Sequence, residues 1–384
     1  MPSDFSTEDF ESLEVLRQLQ RLHPGVRPAD QKDENKLHEL FQAKPMKIGK
    51  LELVYDRRPS FQNLLEAQGS SHITWLMEGQ SRILGCGSVS AVDRWYLGKK
   101  HRVSYLSDLR ISEARAAITT WRKFYPDALA ALEEGGLLGK PTYHLTAVLK
   151  ENLPALRALT GKNKGVEYHP FREPWMVNIF GRLVLRRPQL QVRAIRASES
   201  DRLLHYLKDR ACQRAFGYDF PLEQDRRLKT WPGFDPAQFL VCESGDRWLG
   251  VCLPWSPSAL KRLVFQSAPW LTQKMFYSLK WLGRKPLEVG APISTTYLSS
   301  FYWSDGVEGA AVASAFLDWL QRDGVFARTH FLSFCAPDAG WLSSSHLKGY
   351  IKQLTPTQVF LVAARGQYLD MDRSSVLDFE MALV

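Results

Sequence analysis

Apolar positions recur along the chain with two alternating periods, and the order of the changes predicts a programme of helices and strands that runs twice. Phe10, Leu13, Leu16 and Leu19 share one face at helical spacing. Ser6 and Thr7 can cap that helix and Glu8 and Asp9 suit its positive end, so a helix is expected over 6–23, closed by His23-Pro24-Gly25. A short strand at Val26-Arg27-Pro28-Ala29 comes next, then a helix carrying Leu37, Leu40 and Phe41 and a helical stretch carrying Phe61, Leu64 and Leu65. Strands are expected at 72–77, 82–92 and 101–111, the first two joined by a tight turn at Gly79-Gln80 and the last two by a longer loop over 93–100. A helix over 113–134 stops at Gly135-Gly136, and a strand at 143–149 leads into a helix over 152–160 with Pro154 in its first turn. Strands at 166–168 and 175–180 close the first half.

The second half repeats the order. A strand at 190–196 contains Val192-Arg193-Ala194-Ile195, an echo of the 26–29 segment, and a helix is expected over 198–212. A hairpin at 239–243 and 248–254 turns at Ser244-Gly245-Asp246. An insertion over 255–286 carries Trp255, Trp281 and amphipathic helical stretches. A strand at 295–303, a helix over 307–323 ended by Gly324, a strand at 331–335, a helix over 341–354 and strands at 359–363 and 376–383 complete the chain. The halves share element order more than identity, as an old duplication would. The expected organisation is an N-terminal helix (1–24), a first domain (25–185) and a second (190–384), joined near 181–192.

Composition narrows the class. A length of 384 residues suits two domains, and 45% apolar residues suffice for two cores. Five scattered cysteines without CxxC spacing argue against disulfides and zinc, and for reduced thiols in a cytosolic protein. No uninterrupted apolar run approaches the ~18–20 residues of a membrane span, and the acidic start from Met1 to Phe10 lacks the core of a secretory signal. The formal net charge of +9 gathers at Lys99-Lys100-His101-Arg102, at Arg182 with Arg186-Arg187, and at Arg226-Arg227 with Lys229. These clusters fit solvated strand ends or an anionic partner. No zinc-finger spacing, RRM signature or basic arm accompanies them, so a phosphate-rich small molecule fits better than nucleic acid. Walker, G-x-S-x-G, H-E-x-x-H and Rossmann fingerprints are absent. Gly85-Cys86-Gly87, inside an expected strand, reads as a bulge or a close backbone approach.

Three local patterns in the first half carry a family resemblance. They are Val26-Arg27-Pro28-Ala29 with Asp33 beyond it, the strand Tyr105 to Ser112, and the step from Leu145–Leu149 to Asn152, Ala155 and Leu159. In that order they resemble the acyl-CoA N-acyltransferase (GNAT) superfamily. The fold this implies is α/β (α+β): two tandem GNAT-like domains, each a mixed, mostly antiparallel sheet flanked by helices and splayed between its fourth and fifth strands.

The resemblance implies an N-acyltransferase that moves an acetyl or larger acyl group from acetyl-CoA or another acyl-CoA to an amine of a small molecule or an amino-acid-like acceptor. The alternative is a degenerate member that binds acyl-CoA or a protein partner without catalysis. The family's loop Q/R-x-x-G-x-G/A cradles the cofactor pyrophosphate on main-chain N–H groups at a helix start. In the first half Arg115 can stand in the Q/R slot, while Ile118 and Thr120 replace the glycines. In the second half Gly306 takes the Q/R slot, and Gly309, Ala310 and Ala311 span the G-x-A positions. The second half is therefore the better candidate for the cofactor. Carried over residue by residue, cofactor contacts are expected at Leu109, Ile111, Arg115 and Asn152, and at Gly306, Gly309, Ala310 and Ala311. Base candidates are Asp108 and Glu113 in the first half and Asp305 and Glu308 in the second. His346 or Tyr350 would protonate the leaving thiolate. No metal is implied, and two such halves can pack on each other within a monomer.

Overall fold

The computed structural model describes the chain except residues 1–6, 44, 49–50, 80–81, 162–164, 183–189, 221, 279 and 281–284. Ser6 of the expected cap, Gln80 of the expected turn, Arg186-Arg187, Trp281 and most of the expected junction lie outside the described residues.

The first half contributes α1 (Thr7–Leu22), β1 (Val26–Pro28), α2 (Glu34–Gln42), β2 (Met46–Ile48), β3 (Leu51–Asp56), α3 (Gln62–Gln68), β4 (Ser71–Glu78), β5 (Ile83–Tyr96), β6 (Lys99–Ile111), α4 (Arg115–Glu133), β7 (Tyr143–Leu149), α5 (Leu153–Thr160), β8 (Val166–Arg172) and β9 (Trp175–Arg182). The second contributes β10 (Gln191–Ala194), α6 (Ser200–Cys212), β11 (Gly217–Tyr218), α7 (Leu222–Thr230), β12 (Leu240–Ser244), β13 (Arg247–Trp255), β14 (Arg262–Ser267), α8 (Trp270–Ser278), β15 (Pro292–Ile293), β16 (Thr295–Trp303), α9 (Gly309–Arg322), α10 (Val325–Arg328), β17 (Phe331–Ala336), α11 (Gly340–Ser343) and β18 (Tyr350–Ala364).

One sheet of 14 described strands runs β1-β4-β5-β6-β7-β18-β9-β17-β16-β13-β12-β10, with β11 on β5 and β8 on β18. Among the described strand-to-strand pairings only β6–β7 and β16–β17 are parallel, as is the isolated bridge between Ala215 and Leu377. The sheet is therefore mixed and mostly antiparallel, as expected. The halves interleave at its centre. β9 leaves the first half to pair with β17 (Leu332 opposite Ile179), while β18 returns from the second half to pair with β7 (Leu361 opposite Leu145). Pulling the halves apart would strip hydrogen-bond partners from both.

Matching polar clamps mark the start of each half. Arg27 forks onto Asp33 (2.7 and 2.8 Å) and reaches Glu78 (2.7 Å). Arg193 forks onto Glu199 (2.7 and 2.8 Å) and reaches Glu243 (2.7 Å). Asp33 and Glu199 each also accept a turn N–H at 2.9 Å, from Asp30 and Arg196. A carboxylate six residues after the strand arginine thus closes the turn and ties it to the sheet edge.

α1 packs Val15, Leu16 and Leu19 against Trp121, Phe124 and Ala128 of α4, while Leu13 of the expected face is 41% exposed. Other expectations change. The loop over 93–100 is a tight hairpin, because Leu97 (φ 51°) and Gly98 (φ 73°) adopt a two-residue turn that keeps β5 and β6 paired. Residues 46–56 form two unforeseen strands, and the insertion over 255–286 supplies β14 as well as α8. Together they build a second sheet, β15-β14-β3-β2, from both halves.

The expected helix over 341–354 stops after α11. The Ser344 hydroxyl takes the His346 N–H, Gly349 is left-handed (φ 85°), and Tyr350 opens β18, whose Thr355, Thr357 and Val359 suit a strand. The expected strand over 376–383 is instead an extended tail with one bridge, Leu377 to Ala215, ending in a 3-10 turn at Met381–Leu383. Its polar groups find partners in the core: the Gln68 side chain donates to the Leu383 oxygen, the Tyr302 hydroxyl to Asp378, and the Ser300 main-chain N–H to Glu380.

Candidate functional site

β6 and β7 run side by side only from Val103–Tyr105 opposite Tyr143–Leu145. Beyond that point β6 stays on β5 as far as Ile111, and β7 turns to β18. The last paired step is locked by buried side chains. Ser104 lies 2.6 Å from His144 Nδ1, and His144 Nε2 lies 3.0 Å from Glu133. The order serine, histidine, carboxylate suggests a nucleophile relay, but Ser104 is fully buried and does not border the cavity, so the group is a clamp.

The splay above that clamp opens into a cavity of about 1430 Å³. Leu109, Ile111, Val148 and Leu149 line it at the parted strands, and it continues under α4 to Phe124 and Leu132. Trp121 lies against the sheet because Gly87 has no side chain: a Cβ there would stand 2.8 Å from the indole. The second half adds Lys261, Leu263, Ile293 and Tyr297 to the walls, and the tail adds Met381 and Val384.

At the mouth, β6 bulges. The register shifts between Cys86 and Ser88, and Asp108 takes a left-handed conformation (φ 58°). Asp108 lines the cavity and receives the buried Arg57 guanidinium at 2.6 Å, which also stacks 3.8 Å over Phe61. Cys86 donates to the Asp108 carbonyl, and burial pushes its thiol far up, which removes it as a nucleophile. Burial, then the nearby Arg57 charge, brings Lys261 down to about 7, and its Nζ donates to the main-chain oxygen of Val384. Glu113 and Asn152 also line the cavity. Asn152 caps α5 through the Ala155 N–H (3.3 Å). Arg115 opens α4 but is not among the lining residues, whose guanidinium and ammonium groups come from Arg110, Arg122, Lys123 and Lys261.

The second lobe repeats this arrangement and fills it. β16 and β17 pair at Thr295–Tyr297 and then part, and β16 bulges at Ser300 (φ 46°). The pairs Gly85–Ile111 and Gly250–Trp303 place Trp303 where the first lobe has Ile111. Trp303 packs on Trp341 (centroids 4.9 Å apart) and Phe301 (5.2 Å), and these rings close the splay. Gly309 is required by them: a Cβ would stand 2.4 Å from Trp341.

Gly306, Gly309, Ala310, Ala311, His346 and Tyr350 all lie away from the large cavity. Gly309 and Ala310 are buried at the start of α9, Glu308 is engaged by Ser344 (2.5 Å) and His346 (3.3 Å), and Asp305 by Arg210 (2.7 Å). The Tyr350 hydroxyl donates to Asp318 (2.5 Å), and burial raises it above the usual phenol range. Gly309 of the loop expected in the second half therefore lies beside the rings of Trp303 and Trp341, and the loop residues do not border the large cavity.

The sequence matches no family model and no curated protein. Solved structures are similar at low identity. Saccharomyces cerevisiae N-myristoyltransferase with bound myristoyl-CoA superposes with a TM-score of 0.55 at 11% identity, over 93% of this chain and 87% of that one. Its complex with myristoyl-CoA and inhibitors gives 0.55 at 10% identity, over 92% and 86%. A GCN5-related glucosamine N-acetyltransferase region of a fungal multi-domain β-N-acetylglucosaminidase gives 0.53 at 12%, over 88% of this chain and 38% of that one. The chain has a GNAT-like fold, in two lobes.

Proposed function

We propose that the protein is an N-acyltransferase that takes a long-chain acyl-CoA into the first-lobe cavity and passes the acyl group to an amine. The observation that carries this reading is the cavity itself. At about 1430 Å³ it exceeds the roughly 300–1,000 Å³ of ordinary ligand sites, and it runs from the bulge into an apolar core. An acetyl group would leave most of it empty. The similarity to an enzyme solved with myristoyl-CoA supports the same choice of acyl chain.

The residues present suit such a molecule. Arg110, Arg122 and Lys123 supply positive charge, the start of α4 adds its dipole, and Leu109, Ile111, Trp121 and Phe124 offer apolar walls. A bound acyl-CoA supplies an activated thioester. Main-chain N–H groups at the Asp108 bulge polarise its carbonyl. Lys261, held by burial well below the usual lysine range, takes the proton released as the acceptor nitrogen forms its bond to the carbonyl carbon and the carbon–sulfur bond breaks. Asp108, tied to Arg57, holds the bulge. The acceptor, a small or amino-acid-like amine, enters on the side walled by Tyr55, Leu263, Ile293 and Tyr297.

Acyl transfer from acetyl-, octanoyl- and myristoyl-CoA to a panel of amines tests the reading. Turnover should rise with chain length. Turnover with acetyl-CoA alone, or none with any thioester, would overturn it.

A further inference from the structure

Lys261 and Leu263 of the insertion over 255–286 wall the cavity, but its Trp255 and Trp270 do not. Trp255 is core, stacked on Trp231 with centroids 4.2 Å apart, but Trp270 at the start of α8 is 68% exposed and Tyr277 is 50% exposed. Residues 270, 274 and 277 fall at i, i+4 and i+7, on one face of α8. The Lys274 ammonium sits 4.8 Å from the Trp270 ring, and Lys280 lies 3.7 Å over Tyr277. Lys285 is exposed just beyond, and Val289, 55% exposed, stands at the same end of β14, where the Gly290 N–H bonds the Phe265 carbonyl.

The charge here has one sign. From Arg247 through Leu287 the chain contains no aspartate or glutamate, while Arg247, Lys261, Arg262, Lys274, Lys280, Arg284 and Lys285 are all basic. Glu288 lies past the end of that run, and Glu52 of β3 accepts from Ser267 (2.8 Å). Exposed aromatic rings interleaved with lysines are unfavourable in water and favourable at a bilayer interface. There the rings sit at headgroup depth and the ammonium groups meet anionic phosphates. Among the described residues no helix is long and apolar enough to cross a membrane, so the contact is with the surface.

We infer that the α8 face, with Trp270, Lys274, Tyr277 and Lys280, is a docking surface for an anionic lipid bilayer. α8 comes directly after β14, whose Leu263 lines the cavity, so docking brings that wall of the cavity to the membrane surface. Docking of this face does not depend on whether the cavity transfers acyl groups.

Co-sedimentation of the full chain with vesicles of phosphatidylcholine alone, and with 30% phosphatidylserine, tests it at about 0.15 M salt. Binding is expected to the anionic vesicles only. Trp270→Ala should weaken it about tenfold, and Lys274→Glu with Lys280→Glu about 25-fold or more, from roughly fivefold per lysine. These side chains are exposed, so the thermal midpoints of the variants should match the parent and separate lost docking from lost folding. Equal pelleting with neutral vesicles, no binding to anionic ones, or binding unchanged in both variants would overturn the inference. So would a preference for RNA that displaces the vesicles.

Discussion

Asp108 and Ser300 occupy matching places in the two lobes: each is the left-handed residue of a bulge in the long strand beside the splay, with φ of 58° and 46°. The residues after each bulge differ. Leu109 and Ile111 leave the first splay open, while Phe301 and Trp303, with Trp341, close the second. One scaffold thus holds an open site and a filled one, and the filled lobe lends Lys261, Leu263 and Tyr297 to the walls of the open one.

Gly309 is a packing residue. Gly309→Ala places a Cβ about 2.4 Å from the Trp341 ring and should destabilise the fold by about 1–3 kcal/mol in urea unfolding. Affinity for long-chain acyl-CoA should stay unchanged. Unaltered stability with lost binding would return the cofactor to the second lobe.

The Ser104–His144–Glu133 clamp sets where the strands part. Ser104→Ala leaves His144 Nδ1 buried without its partner and should cost about 1–3 kcal/mol. It should not remove acylation by a nucleophilic route, since Ser104 does not reach the cavity. Parent-like stability with abolished turnover would contradict the clamp.

The Arg193–Glu199 fork has a pH signature. Arg193 holds the Glu199 carboxyl down to about 2 from its ordinary 4.5. The folded state then binds fewer protons than the unfolded state between those values. The stabilisation is complete above about pH 5 and is lost as pH falls through 2. Glu199→Gln should cost about 1–3 kcal/mol at pH 7, and the difference should shrink between pH 4.5 and pH 2. A difference that is flat with pH would rule out the fork as its source.

Lys261 contributes a cost where the fork contributes a gain, although stability rises with pH in both windows. Its folded value, about 7 against an ordinary 10.5, means that burying the charge costs stability fully below pH 7, and that the cost is relieved as pH rises from 7 to 10.5. The groups around it are Arg57, Asp108 and Glu380, with the Val384 oxygen as hydrogen-bond partner. Lys261→Met should gain stability relative to the parent at pH 6, and the gain should diminish toward pH 10. The acid limb of kcat/KM near pH 7 should disappear with the lysine. A limb that persists would move the proton to another group.

The fold was legible where local signals agree with their surroundings. The 3.6-residue stripe of α1, the Asn152 cap of α5 and the Gly245 hairpin need only neighbours in sequence. The serine run at 343–345 and the 376–383 segment misled because their outcome depends on distant partners: β9 for the start of β18, and Gln68, Tyr302 and Ser300 for the tail. In the candidate site, Asp108, Leu109, Ile111, Glu113 and Asn152, which the sequence offered only through the family resemblance, line the cavity. Lys261 and Arg57 were not offered, since their burial comes from a small sheet assembled from both halves. Of the two glycines expected in a phosphate loop, Gly306 is a left-handed turn residue (φ 71°) with open space around it, and Gly309 sits against the rings of Trp303 and Trp341, a packing requirement that the loop pattern does not show.

Calorimetric binding of myristoyl-CoA to the parent chain and to Ile111→Trp tests whether the open splay holds the ligand, because the variant gives the first lobe the residue that closes the second. The parent should bind, and the variant should lose at least about a hundredfold in affinity, about 2.7 kcal/mol, with the thermal midpoint of the unliganded protein retained. Equal affinity in the two proteins would contradict this and place the ligand outside the splay of β6 and β7.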